Sequence, residues 1–237
     1  MRDIPVGNGS LLVNFDAKYQ IRDIYFPHVG QENHTEGFPF RFGIWVDGEF
    51  SWVYEDEWDR DLRYLPGTLV TNVTLTNEEL GVKIVCSDTV AGRENIYLRR
   101  VNVTDLSGGL REIRVFLHHD FRIYENKVGD TAFFDPDYRA IIHYKKHRYF
   151  LINTQPGFDS FATELAGGPI TEGSVDSTIG VHFRLEANAS HEFYYWIAAA
   201  ASHQHVDELN SHILQRGPEK YFGETERFWR RWVNRNE

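Results

Sequence analysis

Apolar and polar residues alternate with a period of two along most of the first two hundred residues. Successive side chains of an extended strand point to opposite faces, so this pattern predicts half-buried strands. SLLVNFD (10–16) and YQIRDIYF (19–26) read as a hairpin with a tight turn at Ala17 and Lys18. FRFGIWV and EFSWV flank Asp47-Gly48, a dipeptide suited to a two-residue hairpin turn. Four longer strands follow, TLVTNVTLT, GVKIVCSDTV, IYLRRVNVTD and REIRVFLHHDFRI, separated by polar turns such as NEEL and LSGG. RAIIHY and RYFLIN repeat the hairpin pattern around Lys145-Lys146, and TIGVHFRLE and HEFYYWIAAAA close the series. Strands at this spacing, with no helices between them, predict antiparallel sheets packed face to face as one all-β sandwich over residues 1–202.

After Ser202 the period becomes 3.6, and residues 203–237 are predicted to be helical. HVDELNSHILQRG is ended by Gly217, and Pro218 suits the first turn of a second helix. In that second helix Tyr221, Phe222, Thr225, Phe228, Trp229, Trp232 and Val233 fall on one face. Such an aromatic stripe either packs back on the sandwich or leads into another domain. An exposed stripe would also favour a homodimer.

Composition narrows the function. A hydrophobic content of 41% over 237 residues fits a packed globular protein. The formal net charge of −10 argues against nucleic-acid binding, which needs clustered cations to neutralise phosphates. The basic cluster KKHR (145–148) reads as a hairpin turn. The opening MRDIPVGNGS has no apolar signal-like stretch, and FYYWIAAAA (193–201) is far shorter than the roughly 20 residues that span a bilayer. A single cysteine, Cys86, in the strand VKIVCSD, suits a reducing compartment, so a cytoplasmic location is expected.

Candidate chemistry is sparse. The acidic segment YEDEWDRDLRY (54–64) could supply a carboxylate pair, but Arg60 and Arg63 balance it as in a solvated loop. His118 and His119 are neighbours on a strand and point to opposite faces, so they cannot share one ion. The pairs His143/His147 and His203/His205 have no carboxylate or cysteine at a suggestive spacing, and no metal or cofactor is expected. Trp45, Trp52 and Trp58 could form a sugar-stacking platform or simply fill a core. The loop YFPHVGQENH (25–34) stands out for its polarity. His28, Gln31, Glu32, Asn33 and His34 could bond hydroxyl groups, with Tyr25 and Phe26 as stacking faces; the alternative is a structural loop whose polar groups satisfy one another.

The stretch VGNGSLLVNFDAKYQIRDIYFPHVGQENHTEG, followed by FRFGIWVDGEFSWV, resembles the opening of bacterial and archaeal family-15 glycoside hydrolases of the glucoamylase, glucodextranase and trehalase type. The ending FWRRWV is similar too. The resemblance implies a large two-sheet supersandwich followed by linker helices leading to an (α/α)6 barrel that carries two catalytic glutamates. Residues 1–237 contain no counterpart of that barrel, so the chain alone is expected to be inactive, a support for a barrel present in cis or in trans. An α-glucan or trehalose is the substrate implied for the parent enzyme. The same likeness implies an interdomain or pocket-rim position for Tyr25, Phe26, His28, Gln31, Glu32, Asn33 and His34. It makes Phe228, Trp229 and Trp232 the interdomain helix. A stand-alone carbohydrate-binding module is the second reading of the sequence.

Overall fold

The computed structural model describes residues 3–126, 128–163 and 175–235. In chain order the strands are β1 (Ile4–Gly7), β2 (Leu12–Phe15), β3 (Ile21–Tyr25), β4 (Arg41–Val46), β5 (Glu49–Trp52), β6 (Asp59–Tyr64), β7 (Thr71–Asn77) and β8 (Val82–Val90). They continue with β9 (Ile96–Asp105), β10 (Arg111–Asp120), β11 (Thr131–Asp135), β12 (Ala140–Lys145), β13 (Arg148–Gln155), β14 (Ser160–Thr163), β15 (Asp176–Leu185) and β16 (Ser190–Ala200). Two helices close the described chain, α1 (His203–Arg216) and α2 (Pro218–Val233).

The strands form the expected antiparallel sandwich. One layer is an eight-stranded sheet of order β11-β12-β13-β16-β9-β8-β7-β6. Facing it are a five-stranded sheet, β14-β15-β10-β4-β5, and a three-stranded sheet, β1-β2-β3. The second layer is therefore divided, and a single bridge between Ile21 and Phe40 joins its two parts. Both short sheets send side chains into one core with the eight-stranded sheet, including Val13, Phe15, Ile44, Val115, Ile84 and Val101. No helix among the described residues is long and apolar enough to cross a membrane.

Strand β16 explains why HEFYYWIAAAA loses its alternation. Phe193, Tyr195, Ile197 and Ala199 face the sandwich core. Tyr194, Trp196, Ala198 and Ala200 face a second core made with Val206, Leu209, Ile213, Tyr221 and Phe222 of the helices. A strand buried on both faces needs an unbroken apolar run. The layers thus stack in order: short sheets, eight-stranded sheet, helices.

The turns follow backbone chemistry. Asp47 and Gly48 both adopt positive φ, the left-handed pair that a tight hairpin requires. The β12–β13 turn is Lys146-His147, one residue later than the pattern suggests, because Lys145 pairs with Arg148. Lys145 instead turns inward, 3.1 Å from Asp130 and bonded to the carbonyls of Ile123 and Asn126. Ser202 caps α1, accepting from the His205 amide at 3.3 Å, and Gly217 at positive φ separates the helices before Pro218.

Three sheets meet at one buried ion pair. Arg99 of β9 donates through Nε to Asp88 of β8 at 2.7 Å, and both side chains are almost wholly enclosed. Asp88 also accepts from Tyr97 and Tyr19 hydroxyls at 2.6 Å each and from Thr71 at 2.8 Å. The guanidinium lies among the rings of Phe15, Tyr19 and Phe42 at 4.6–5.5 Å.

Candidate functional site

Loop 25–34 closes on itself before it offers anything to a partner. It opens with a cis Phe26–Pro27 peptide. Phe26 is buried, edge-on to Phe150 at 6.1 Å. Asn33 holds the base: its Nδ2 donates to Asp23 at 2.8 Å, and its Oδ1 accepts from Thr35 Oγ1 at 2.9 Å and from the Thr35 amide at 3.2 Å. The Asn33 amide donates to Glu125 at 2.9 Å.

His34 is fully enclosed. Its Nδ1 accepts from the Tyr124 amide at 3.3 Å, so Nε2 carries the proton and donates to the Phe26 carbonyl at 2.7 Å. Burial pushes its pKa down to about 4, which keeps the ring neutral. Glu32 binds Arg148 through two oxygens, both at 2.8 Å. The hydrogen bond from Arg148 holds the Glu32 carboxyl below its ordinary range.

The seven candidates therefore divide by burial. Phe26 and His34 support the loop from inside, and Asn33 and Glu32 are engaged in fixing it. His28 and Gln31 form the exposed tip with Val29 and Gly30, and Tyr25 is half-buried beside it. Glu32, Arg148 and the loop tip form one polar surface next to the β12–β13 turn.

The aromatic stripe of α2 divides as well. Tyr221, Phe222, Thr225 and Trp229 are buried against the eight-stranded sheet. Trp229 donates to the Val90 carbonyl at 2.7 Å, and Tyr221 donates to Glu94 at 2.5 Å. Phe228 rests directly on Gly92, where any side chain would collide with its ring. Beyond it the helix turns outward: Trp232 is 47% exposed. Phe228 and Trp232, with Glu224, Arg227, Arg231 and Arg235, line a 630 Å³ groove along this face.

The other candidates resolve differently. In the acidic segment, residues 59–64 are the edge strand β6, not a loop. Glu55 accepts from Ser51 Oγ and from the Trp52 amide at 2.9 Å each, and Asp61 pairs with Arg63, so these carboxylates are engaged locally. Trp58 is buried and donates to Ser51 at 2.9 Å, which removes it from any platform. Trp45 and Trp52 lie on the outer face of the five-stranded sheet.

His118 and His119 do point to opposite faces. His119 is buried between Ser177 Oγ at 3.0 Å and Tyr195 hydroxyl at 2.8 Å, and His143 reaches the same Ser177 at 2.7 Å. This chain of polar groups crosses the core between the two layers. The sequence reading missed one cluster: folding brings Asp135 to His203 and Asp207, with one ligand-type atom from each within 4.8 Å. Asp207 lies four residues after His203 on α1, a visible spacing, but Asp135 comes from β11.

No protein-family model matches the chain. A Methanocaldococcus jannaschii protein described as an uncharacterized glycosyl hydrolase is 28% identical over 156 residues, which span 66% of this chain and 24% of that protein. A bacterial glucoamylase complexed with acarbose superposes with a TM-score of 0.74 at 9% identity, covering 96% of this chain and 36% of that one. A candidate kojibiose phosphorylase from the human microbiome gives a TM-score of 0.61 at 10% identity, covering 98% of this chain and 35% of that one. The chain thus spans well under half the length of each. It is glycoside-hydrolase-related, and with the two solved proteins it shares the fold.

Proposed function

We propose that the chain is a non-catalytic β-sandwich module of a family-15, glucoamylase-type glycoside hydrolase, bearing on an (α/α)6 catalytic barrel supplied in cis or in trans. The observation that carries this reading is the division of α2. One face is locked to the sandwich through Tyr221, Phe222 and Trp229, while Phe228, Trp232 and three arginines line an open groove on the other. Aromatic residues and arginines are enriched where protein surfaces meet, and a second domain would cover them.

The exposed side of loop 25–34, with His28, Gln31 and half-buried Tyr25, is the part that can border a pocket. Its interior is already committed to holding that tip in place, which is what a rigid rim requires. Inverting hydrolysis needs one carboxyl group as acid and another as base across the sugar. In this reading both belong to the barrel, and the module supplies support.

Two measurements test it. The purified chain incubated with maltose, dextran, soluble starch or trehalose is expected to release no glucose above a blank. In the presence of the catalytic polypeptide, an Arg227→Ala, Arg231→Ala, Trp232→Ala triple variant is expected to associate at least about tenfold more weakly. Turnover that follows the chain through purification, or unchanged association of the triple variant, overturns the reading.

A further inference from the structure

The outer face of the five-stranded sheet carries a surface that the module reading does not use. Ile44, Val115 and Ile179 turn inward from β4, β10 and β15. Their neighbours turn outward. Strand register there aligns Trp52, Gly43, Phe116, Gly180 and Ser160 in one row across the sheet.

The two glycines shape that row. A Cβ on Gly43 would lie 2.8 Å from the rings of both Phe50 and Trp52, and one on Gly180 would lie 3.3 Å from Phe116. Without those Cβ atoms the rings settle onto the backbone and meet one another, Phe50 lying edge-on to Phe116 at 5.9 Å. Phe50 stands edge-on to Trp52 at 4.8 Å, and Trp52 and Tyr54 are nearly parallel at 6.2 Å. The result is a 420 Å³ depression whose apolar lining is Trp45, Phe50, Trp52 and Phe116. Arg41, His118 and Thr178 supply its polar lining, and the Arg114 guanidinium sits 4.7 Å over Trp45.

The chemistry of the lining selects the occupant. The depression contains no aliphatic side chain and no carboxylate among its lining residues. Rings with arginines also mark protein interfaces, as on α2, so a protein partner is the occupant left standing if the sugars tested below stay silent. An acyl chain has no hydrogen-bonding group for the polar lining. Nucleic-acid bases stack on rings, but a net charge of −10 disfavours their phosphates. Flat rings with hydrogen-bonding groups between them match a pyranose, which offers an apolar C–H face and a hydroxyl edge. The eight-stranded sheet separates this face from α1 and α2, so a domain docked on α2 leaves it open.

We propose that this face is a binding platform for a neutral oligosaccharide, its sugar rings stacking on Trp45 and Trp52 beside the contacting Phe50 and Phe116 rings while Arg41, His118 and Thr178 bond hydroxyls. The platform stands on these residues alone; only the choice of an α-glucan as first probe rests on the proposed function.

The test is titration of the chain with maltoheptaose and with cellohexaose, followed by tryptophan fluorescence and calorimetry. Saturable binding is expected with a dissociation constant of about 0.1–1 mM. Trp52→Ala is expected to weaken it at least about tenfold, whereas Trp232→Ala on α2 leaves it unchanged. Arg41→Ala, an exposed substitution, gives the same test without touching the rings and should weaken binding several-fold. Silence of both sugars up to about 10 mM, or binding that survives Trp52→Ala and Arg41→Ala, overturns the proposal. Glucose release and α2-dependent association involve other residues, so failure of the module reading would show separately.

Discussion

Asp88→Asn removes the charge around which three sheets are assembled. Asp88 accepts four side-chain hydrogen bonds, from Tyr19, Tyr97, Thr71 and Arg99, all between 2.6 and 2.8 Å. An asparagine presents an NH2 group to at least one of these donors and leaves the guanidinium without its counter-ion. Arg99 Nη2 already has no hydrogen-bond partner, and the side chain is only 2% exposed, so water cannot compensate. Leaving a buried charge unpaired costs about 3–5 kcal/mol. For a domain of this size each kcal/mol shifts the melting temperature by about 2–4 °C, so a fall of about 6–20 °C is expected. Thermal melts by circular dichroism, supported by urea titration, would measure it.

The companion variant is Asp88→Asn with Arg99→Met, which removes both charges and keeps a side-chain oxygen for the Tyr19, Tyr97 and Thr71 hydroxyls. Removing both charges also removes the desolvation penalty, so the double variant should recover most of what the single one loses. A single-variant loss below about 1 kcal/mol would refute the reasoning, as would a double variant less stable than Asp88→Asn. Either result would mean that the pair is not what holds the sheets together.

Further predictions concern groups with no outlet to solvent. Burial lowers the pKa of His34 to about 4, of His143 to about 3, and of His119 well below its ordinary value. Because the unfolded chain binds more protons in that window, stability is complete above about pH 6.5 and falls as pH drops toward 4. The slope is about 1.4 kcal/mol per pH unit for each histidine, partly opposed by Asp130, whose pKa burial raises to about 6. Urea melts between pH 4.5 and 7.5 should show this slope; a flat profile would contradict it. Cys86 is buried and its thiol is pushed up to about 12, so iodoacetamide should label it only after unfolding. Trp196→Ala opens a cavity between β16 and α1 and cuts a 3.0 Å bond to Asn210, at an expected cost of about 3–5 kcal/mol with earlier proteolysis of the helices. Unchanged stability and protease resistance would mean that the helices do not depend on that contact.

Strands such as β7 were legible because one face is drier than the other, buried Thr71, Val73, Leu75 and Asn77 alternating with half-buried neighbours. β6 was not: DRDLRY is a polar strand at a sheet edge, and its composition is that of a loop. Nor were β1 and β14, because IPVG and SFAT show no alternation of apolar and polar residues over their four positions. The loop at 25–34 was conspicuous in sequence because it is polar. Yet polarity does not reveal whether Asn33 and His34 bond a partner or their own backbone. The aromatic platform was half visible. The Asp47-Gly48 turn sets Trp45 opposite Phe50, but Phe116 and Gly180 join them only through pairings across the sheet. Asp135 meets His203 and Asp207 for the same kind of reason.

The five-stranded sheet also fixes an order of events during synthesis. β4 and β5 can zip into a hairpin as soon as they are made, yet their inner neighbour is β10, and β10 in turn waits for β15. Between them the ribosome must deliver the whole β6–β9 meander, whose pairings are local and close quickly. For that interval the young hairpin holds an aliphatic side and an aromatic side uncovered together. Chaperone demand, and the risk of off-pathway association, should therefore concentrate early in the chain rather than at its helical end.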